Sequence, residues 1–434
     1  MRQRSKWQSS IIWLFVIIIL PIPLLLLLNQ QLVDTASHLR AADTGVLAYS
    51  WWLGATILAA RPHWLVGRLN LKAVYTVHGL LGLLALVAAT VHRQSEFSFQ
   101  PSIKLTGNIA WWLSLAGMIV AIIFLSGWLI DFWPTLARAK SWLLRHGLRH
   151  QLVMWLHRLN LVCIALIWLH VNLIPQVSSL RAFMTGFNLS TLITALIYGA
   201  SKVLPNRRSQ RAVVKVNQAL NSATRRLVVN LNRSCSIQPG TTFFLRFPGV
   251  HGLREAHPFS LVQASSSGQA QELEFIIRQN GDDTKRLSQI KPGAPVAIEG
   301  PFGDFARLVA EALQQDHPVV LYGMGTGIAP LHNLSQHFAG QGQLHVIWSY
   351  SREADRFPAI DQQLRTLAAT GHFSYTPVKG RMTTARWQQL LTPQEIATGD
   401  LIIVGAGPAV LHVEAQLQKL GLKRQQLHDE RLTM

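Results

Sequence analysis

Long intervals without a charged residue dominate the first half of the chain. A helix needs about 20 apolar residues to cross the hydrocarbon core of a bilayer. Six intervals reach or approach that length: Trp7–Val33, Thr44–Ala60, Ala73–Val91, Leu105–Ile130, Leu159–Leu180 and Ala182–Ser201. We therefore predict six membrane-spanning helices within residues 1–205.

Two of these spans need qualification. The first is preceded by basic residues, as in a signal peptide, but its apolar run is too long and no small-residue cleavage site follows. We interpret it as an uncleaved helix with a kink at Pro21 and Pro23. The fifth helix is predicted to begin near Gln151, which places Arg158 in its first turns. A short turn around Pro175–Ser179 then separates it from the sixth.

The positive charge of the chain is concentrated in the apolar half. Residues 1–211 hold 19 Lys and Arg against 4 Asp and Glu, whereas the remaining residues hold 21 against 17. With a cytoplasmic N-terminus, 15 of those 19 basic residues lie on the inner side, and only Arg40, Arg93, Lys104 and Arg181 lie outside. This bias predicts a bacterial cytoplasmic membrane protein with both termini in the cytoplasm, and it argues against a nucleic-acid partner.

The composition excludes several other classes. Hydrophobic residues make up 49% and charged residues 14%, with a mean hydropathy of +0.22. Soluble domains carry about 25% charged residues. The two cysteines, Cys163 and Cys235, exclude a disulfide scaffold and an all-cysteine metal or iron–sulfur site.

Four histidines lie inside the predicted spans, two on the third helix and two on the fifth. His78 and His92 are 14 residues apart, and His157 and His170 are 13 apart, which is about 21 and 20 Å along a helix. Because both helices run outward, His78 and His157 share an inner level, and His92 and His170 share an outer one. Two neutral imidazoles at each level suit axial ligation of haem b iron.

Other interpretations of these histidines remain open at this stage. A single intramembrane histidine is as easily explained by an interhelical hydrogen bond, and a zinc site would need further ligands at each level. Fourteen residues return to within about 40° of one helix face, but thirteen miss it by about 140°. The fifth helix must therefore be irregular or tilted, or the two haem planes must differ. Arg93 and Arg158 follow histidines and either pair with haem propionates or extend to the membrane interface.

The second half of the chain changes to short strands. Four of them suggest a small antiparallel barrel: Arg226–Leu231, Thr242–Phe247, Glu272–Arg278 and Pro295–Glu299. From His317 onward strands alternate with helices, which predicts a parallel sheet. Its strands are Val319–Tyr322, Leu344–Ser349, His372–Pro377 and Leu401–Val404. We place the boundary near Ala306–Asp316, so the predicted domains are residues 1–205, 206–306 and 307–434.

Three segments at the ends of predicted strands are typical of nucleotide sites. The turn after the first sheet strand contains Gly323, Gly325, Gly327 and Pro330, and glycines there let the backbone approach a pyrophosphate. A second glycine turn, with Gly405, Gly407 and Pro408, closes the last of these strands. Ser351 and Arg352 follow the second strand, where an arginine meets a ribose 2′-phosphate.

Taken together, these features resemble the ferric reductase / NADPH oxidase superfamily over nearly the whole chain. The paired histidines, including the 13-residue spacing, match the two-haem domain of that family. His257-Pro258-Phe259-Ser260 matches its flavin motif. The segment with Arg278, Gly281 and Thr284 resembles the motif that holds the FAD pyrophosphate, and Gly300-Pro301-Phe302-Gly303 matches the segment between flavin and nicotinamide.

The resemblance implies a fold class and a set of cofactors. The fold is a membrane all-α six-helix haem domain, followed by a β-barrel FAD-binding domain and an α/β nucleotide-binding domain of the ferredoxin reductase type. The cofactors are FAD, two b haems and NADPH or NADH. Two departures are present: Ala406 stands where the family commonly has cysteine, and no aromatic residue ends the chain to cover the flavin.

The implied function is transmembrane electron transfer. Electrons would pass from NAD(P)H through FAD, the inner haem and the outer haem to a ferric chelate, with dioxygen as the main alternative acceptor. Two other functions compete. A membrane-anchored flavin reductase would serve a cytoplasmic partner without haem, and a haem carrier or sensor would never be reduced by NADPH. The sequence does not identify a protein partner.

Overall fold

The computed structural model describes residues 13–61, 71–96, 98–125, 135, 142–143, 150–204, 209–267, 270–279, 284–371 and 373–432. The chain divides into two compact units, Met1–Pro205 and Asn206–Met434. The first unit is helical in its described parts, and the second contains all the described strands.

Eight helices are described in the first unit. They are α1 Ile22–Gln31, α2 Ala36–Ala59, α3 Leu71–Ser95, α4 Pro101–Val120, α5 His150–Arg158, α6 Asn160–Leu173, α7 Pro175–Ser178 and α8 Arg181–Val203. A short π-helical stretch, Phe15–Ile19, precedes α1, and the two are separated by a turn at Leu20 and Pro21. Of the two prolines predicted to kink the first span, Pro21 lies in this turn and Pro23 lies in the first turn of α1.

Four of the predicted spans correspond to helices that are long and apolar enough to cross a membrane. Within the described residues these segments are Ala73–Ser95, Pro101–Leu125, Leu152–Leu173 and Arg181–Val203. The segment Val16–Gln31 is apolar but shorter, and α2 carries Arg40 and Asp43 within its 24 residues. Two of the six spans thus stay predictions, and residues 7–12 and 126–130 of the predicted spans lie outside the described residues.

Interhelical packing in the first unit is close and largely apolar. The Tyr49 ring on α2 stacks on the Phe187 ring of α8 with centroids 4.6 Å apart, and its hydroxyl is 2.9 Å from the Thr191 hydroxyl. Leu81 and Ala85 on α3 are completely buried. Leu81 shares an apolar core with Ala55 of α2, and Ala85 shares one with Ala48, so α3 packs against α2, the arrangement that positions two of the histidines.

The first part of the second unit is a closed six-stranded barrel, as the strand pattern predicted. Its strands are β1 Gln210–Asn221, β2 Thr224–Leu231, β3 Thr242–Arg246, β4 His257–Ser267, β5 Ala270–Arg278 and β6 Pro295–Phe302. They close in the order β1-β2-β5-β4-β3-β6 through antiparallel pairs. The prediction omitted β1 and β4, because both mix polar with apolar residues and β4 begins with a proline-containing motif.

The second part is a five-stranded parallel sheet with helices between its strands. The strands are β7 Val319–Met324, β8 Leu344–Tyr350, β9 Phe373–Lys379, β10 Asp400–Ala406 and β11 Leu427–Leu432, in the order β11-β10-β7-β8-β9. The helices are α9 Phe305–Gln314, α10 Ile328–Phe338, α11 Pro358–Ala368, α12 Thr384–Leu390, α13 Pro393–Thr398 and α14 Gly407–Lys419. Strand β11 was not predicted, since Leu427–Leu432 contains four polar residues.

The predicted boundary at Ala306–Asp316 coincides with α9 rather than with a linker. The helix is amphipathic, and its Phe305, Val309 and Ala312 side chains are buried in one apolar core with strands of the parallel sheet. A helix that shares a core with the sheet is structurally part of it. The short connection Gly303–Asp304 therefore joins the barrel to the sheet.

Candidate functional site

The four histidines of the predicted membrane spans form two pairs. The ring centroids of His78 and His157 are 5.9 Å apart, with an interplanar angle of 71°. Those of His92 and His170 are 6.4 Å apart, with an angle of 89°. The helices that carry them, α3 and the α5–α6 segment, therefore pair the residues as the predicted inner and outer levels required.

Backbone carbonyls of neighbouring helices hold three of the four imidazoles. The Nδ1 atoms of His78, His92 and His170 lie 2.9, 2.8 and 3.0 Å from the carbonyl oxygens of Ala55, Ala41 and Ile103. Because a carbonyl only accepts, each of these Nδ1 atoms carries the proton and its Nε2 atom is left as a free ligand. The buried Nδ1 atom of His157 has no partner in the part of the chain that the structure describes.

Two glycines allow the outer histidines to pack against adjacent helices. A Cβ on Gly45 of α2 would lie 3.1 Å from the His92 ring, and one on Gly107 of α4 would lie 3.1 Å from the His170 ring. These distances are tighter than ordinary van der Waals contact. The outer pair is therefore enclosed by α2 and α4 at positions where only glycine leaves full room.

The irregularity expected in the fifth helix is present at Leu159, between α5 and α6. The Leu159 N–H reaches the carbonyls of both Trp155 and Leu156, and the Val162 N–H bonds to the Leu159 carbonyl, so the turn is locally tightened. The Asn160 side chain donates to the His157 carbonyl at 2.9 Å. It lies against Gly117 of α4, where a Cβ would come within 2.8 Å of Asn160 Nδ2.

The two arginines that follow histidines contact aromatic rings. The Arg93 guanidinium lies 4.4 Å from the Trp111 ring centroid, and its Nε donates to the Asn108 side chain at 2.9 Å. The Arg158 guanidinium lies 5.2 Å from the Trp155 ring centroid. Cation–π contacts of this kind help to retain a charged group near apolar surroundings.

The separation of the histidine rings fits two axial ligands of one iron. With a metal–nitrogen bond of about 2.0 Å and a ring centre about 1.1 Å from its nitrogen, opposed imidazoles have centres about 6.2 Å apart. The observed 5.9 and 6.4 Å bracket that value. Among the described residues no group of three or more His, Cys, Asp or Glu side chains is placed to hold a metal ion. Within the described residues each level thus offers two imidazole nitrogens, a donor set that would suit haem iron.

The predicted flavin motif begins strand β4 and pairs with β3. His257, Pro258, Phe259 and Ser260 lie opposite Leu245, Phe244, Phe243 and Thr242. The ring of Phe259 packs into the barrel core, whereas alternation along the strand turns Ser260 to the outer surface. The buried Nε2 atom of His257 has no hydrogen-bond partner among the described residues. An unpaired buried polar atom at this motif is the kind of group that a bound cofactor would satisfy.

The predicted pyrophosphate segment is described only in part. Arg278 ends β5, and its buried Nε atom has no partner among the described residues. Thr284 begins a 3₁₀ turn, and Gly281 lies outside the described residues. At the next motif, Gly300 has a φ of 149°, and a Cβ there would lie 2.6 Å from the Phe243 ring. Only glycine suits that position.

The C-terminal strand reaches the flavin motif, which sequence reasoning did not foresee. Thr242 on β3 donates to the Glu430 carboxylate of β11 at 3.1 Å, and its hydroxyl is also 3.4 Å from the Ser260 hydroxyl. Glu430 is therefore near the motif, two residues before Leu432 at the end of β11. In the sequence, only the position of Glu430 near the C-terminal end could have suggested this contact.

The predicted nucleotide turns meet at one edge of the parallel sheet. Gly323 lies near the end of β7, Gly325 and Gly327 form the following turn, and Pro330 is in the first turn of α10. Gly405 lies in β10, while Gly407 and Pro408 begin α14. The two turns touch, because a Cβ on Gly327 would lie 2.4 Å from the Val404 oxygen and one on Gly405 would lie 2.6 Å from the Met324 side chain. Helix N-termini beside strand ends favour bound phosphate.

Ser351 and Arg352 follow β8 at the same edge of the sheet. The exposed Arg352 side chain forms an ion pair with the buried carboxylate of Asp355, with contacts of 3.2 and 3.3 Å. Nearby, the Asn221 side chain of the barrel donates to the Ala354 carbonyl. The arginine is thus oriented by its own loop while its guanidinium stays accessible to a ligand.

Helix α10 joins the barrel to the sheet within the second unit. Its His332 is completely buried, and the Nδ1 atom lies 3.3 Å from the Val262 carbonyl of β4. Burial lowers the pKa of His332, and the contact with the Val262 carbonyl opposes this only in part. Asn333, the next residue, accepts a hydrogen bond from the Gly240 N–H of the barrel at 2.9 Å. A neutral histidine and these bonds fix the flavin motif relative to the nucleotide turns.

Comparison with known proteins identifies part of the second unit. Residues 211–306 match the family described as the oxidoreductase FAD-binding domain. The toluate 1,2-dioxygenase electron transfer component of Pseudomonas putida is 27% identical over 203 residues, covering 43% of this chain and 55% of that protein. The ferredoxin–NAD(+) reductase component of the Xanthobacter autotrophicus alkene monooxygenase system is 29% identical over 147 residues, covering 33% and 42%.

The chain spans about half the length of the curated relatives it matches. Among solved structures, the FAD/NAD-binding domain of the nitric oxide dioxygenase of Vibrio cholerae is 22% identical with a TM-score of 0.43, covering 52% of this chain and 99% of that one. The match over residues 211–306 covers most of the six-stranded barrel, which is therefore similar to the FAD-binding domains of oxidoreductases.

Proposed function

We propose that this protein transfers electrons across a membrane, from cytoplasmic NAD(P)H through FAD and two b haems to an acceptor on the outer face. The observation that carries the proposal is the pairing of four histidines on two apolar helices, with ring separations of 5.9 and 6.4 Å. When bound, the flavin takes up a hydride and the haem irons pass single electrons. The same pairing supports our proposal that the protein belongs to the ferric reductase / NADPH oxidase superfamily.

The chain's own residues bind and orient these groups. Carbonyls of Ala55, Ala41 and Ile103 hold the Nδ1 proton of three histidines, so that their Nε2 atoms are available to iron. In the second unit, His257 and Arg278 present unpaired buried nitrogens to FAD. The turns around Gly325 and Gly407 supply backbone N–H groups to the nicotinamide nucleotide. The protein's contribution is therefore ligation, orientation and exclusion of water.

We propose a ferric chelate as the acceptor. A chelate brings its own ligands to iron, so it needs no metal-binding cluster on the outer face, and none was predicted in the short outer loops. Dioxygen is the alternative, because it also accepts single electrons. Measuring ferrous release and extracellular superoxide from the same cells separates the two. Superoxide formation at the full rate of NADPH oxidation, without dependence on added iron, contradicts the ferric choice.

The proposal as a whole is tested by the visible spectrum of the detergent-purified protein under anaerobic conditions. We expect FAD and NADPH to produce the absorption bands of reduced b haem, with two haems per chain. If dithionite reduces the haem but NADPH and NADH do not, electrons do not pass from the nucleotide through the second unit to the haem, and the proposed electron path is wrong. A protein without haem, produced with ample haem supply, would instead favour a membrane-anchored flavin reductase that serves a cytoplasmic partner.

A further inference from the structure

One tryptophan lies directly behind the predicted nucleotide turn. Trp348 is in the middle of β8, and its side chain is completely buried. The indole ring packs between Phe357 and Tyr350, with ring centroids 5.7 and 6.1 Å away. A buried indole N–H needs an acceptor. Here the acceptor is the backbone carbonyl of Gly325, 2.9 Å from Trp348 Nε1.

The Gly325 carbonyl is fixed by two donors. It opens the 3₁₀ turn Gly325–Gly327, and it also accepts the backbone N–H of Ile328. A carbonyl oxygen has two lone pairs, so the indole N–H occupies the second. The carbonyl is consequently directed toward the interior of the sheet domain, where Trp348 lies.

The orientation of this carbonyl determines the orientation of the next N–H group. The peptide bond is planar and trans, so the Gly325 carbonyl and the Thr326 N–H point in opposite directions. The Thr326 N–H therefore points away from Trp348. Anion-binding turns function by directing successive N–H groups at the ligand while their carbonyls point elsewhere.

A cationic side chain, that of Arg278, lies beside the turn. A Cβ on Gly325 would be 3.9 Å from Arg278 Nη1, and the φ of Gly325 is +57°. The turn is thus bounded by a buried donor to its carbonyl and by a guanidinium. This arrangement suits a negatively charged ligand that contacts the N–H groups of the turn.

We infer that Trp348 is a positioning residue for the nucleotide: its indole N–H holds the Gly325–Thr326 peptide so that the Thr326 N–H faces the diphosphate of NAD(P)H. The inference rests on the proposed function, because it takes the Gly325–Gly327 turn as the nucleotide site. Trp348 acts through the turn and does not contact the nucleotide. Since the diphosphate is common to both nucleotides, the effect applies equally to NADPH and NADH.

The test is Trp348→Phe in the full chain, assayed as NAD(P)H oxidation with ferricyanide. Phenylalanine retains an aromatic ring against Phe357 and Tyr350 but has no N–H. We expect KM to rise about three- to fivefold for both nucleotides, with kcat within about twofold, as for the loss of one hydrogen bond.

The same substitution at Trp387 is a matched control. Trp387 is also completely buried in the sheet domain, but it belongs to a different apolar core, and its Nε1 donates to the Gln416 side chain at 3.1 Å. Trp387→Phe should lower thermal stability by a similar amount without changing KM. If both variants change KM equally, or neither does, Trp348 has no specific role in positioning.

A third variant distinguishes failure of the inference from failure of the proposed site. Gly325→Ala places a Cβ on a residue with positive φ and so distorts the turn itself. If it raises KM while Trp348→Phe does not, only the role of Trp348 is rejected. If Gly325→Ala leaves KM unchanged, the turn is not the nucleotide site and both statements are overturned.

Discussion

The two units of this protein assemble their candidate sites in different ways. In the helical unit each site consists of two histidines from separate apolar helices, paired at 5.9 and 6.4 Å. In the second unit the site consists of short segments at strand ends, such as the turns around Gly325 and Gly407. Spacing along a helix creates the first kind of site, and sheet topology creates the second.

Because the two kinds of site arise differently, a substitution should affect one kind of site without affecting the other. A histidine on α3 or α6 affects only the level at which it lies, because the helix rise sets that level. A turn at the edge of the sheet depends on contacts with its neighbour, as Gly327 does with Val404. Substitutions in one unit should therefore change one cofactor and leave the chemistry of the other intact.

The largest effect is expected for the outer histidines. His92→Leu and His170→Leu each remove one imidazole that would hold the outer haem in the proposed function, so we expect haem content to fall from two to one per chain. NADPH oxidation with ferricyanide should continue, because it depends on the second unit. Haem per chain, measured from the alkaline pyridine spectrum, checks this.

His38→Leu serves as the control, since His38 is exposed and pairs with Asp34 outside the two levels. It should retain both haems. If His92→Leu and His170→Leu retain two haems, these imidazoles are not ligands. The histidine pairs would then not be the haem sites of the helical unit.

The next effect concerns the contact between the two glycine turns. In Gly327→Ala the new Cβ would lie 2.4 Å from the Val404 oxygen, a backbone atom that cannot move without disturbing β10. We expect a loss of about 1–3 kcal/mol in the free energy of unfolding. KM for both nucleotides should rise about tenfold or more, because the turn must shift.

Thermal unfolding and steady-state kinetics measure these effects. Gly249→Ala is the control, since its Cβ would meet nothing within 4 Å. Haem content should be unchanged in both proteins, and a haem deficit in Gly327→Ala would argue against separable units.

A smaller and more selective effect is expected at Arg352. Arg352→Ala removes an accessible guanidinium at the end of β8, which we assign to the ribose 2′-phosphate. KM for NADPH should rise about tenfold, while KM for NADH should change less than about twofold, as for one charge-assisted hydrogen bond.

Arg365→Ala is a close control, because Arg365 is similarly exposed and also pairs with an aspartate, Asp361. It should change neither KM. An equal change for both nucleotides in Arg352→Ala would remove the evidence for NADPH preference.

The smallest effect is expected in the helical unit, for the hydroxyl group of Thr106. His170 Nδ1 faces both the Ile103 carbonyl and, at 3.3 Å, the Thr106 hydroxyl. Thr106→Val removes only the hydroxyl, so both haems should be retained. A weaker acceptor at Nδ1 makes the imidazole a poorer donor to iron. We expect the midpoint potential of one haem to rise by about 20 mV or less, or ~0.5 kcal/mol.

Redox titration followed by absorption measures this shift. Thr194→Val is the control, because among the described residues the Thr194 hydroxyl bonds only to the Ser190 carbonyl, within α8. A fall in potential, or the same change in the control, would contradict the assigned role of the Nδ1 hydrogen bond.

Much of the architecture was predictable from local patterns. Period-2 alternation indicated the barrel, and alternating strands and helices indicated the parallel sheet. Strands β1, β4 and β11 were not among the predicted ones. All three have mixed polarity; β1 and β4 also contain irregularities in their pairing register, and β11 lies at the edge of the sheet. The boundary between the second and third predicted domains stays a prediction; the segment where it was placed forms α9, and an amphipathic segment between two domains does not reveal which core it joins.

The residues proposed to carry the chemistry could be identified from the sequence alone. Histidines at 14- and 13-residue spacing on apolar helices predict two levels, because helix rise is constant, and glycines after strands predict turns. The hydrogen-bond partners of these residues became visible only in the tertiary structure. The carbonyls of Ala41, Ala55 and Ile103, the contact between Thr242 and Glu430, and the indole of Trp348 behind Gly325 are all contributed by distant segments. Such pairings depend on how elements pack, and local sequence carries no record of which backbone groups will face each other.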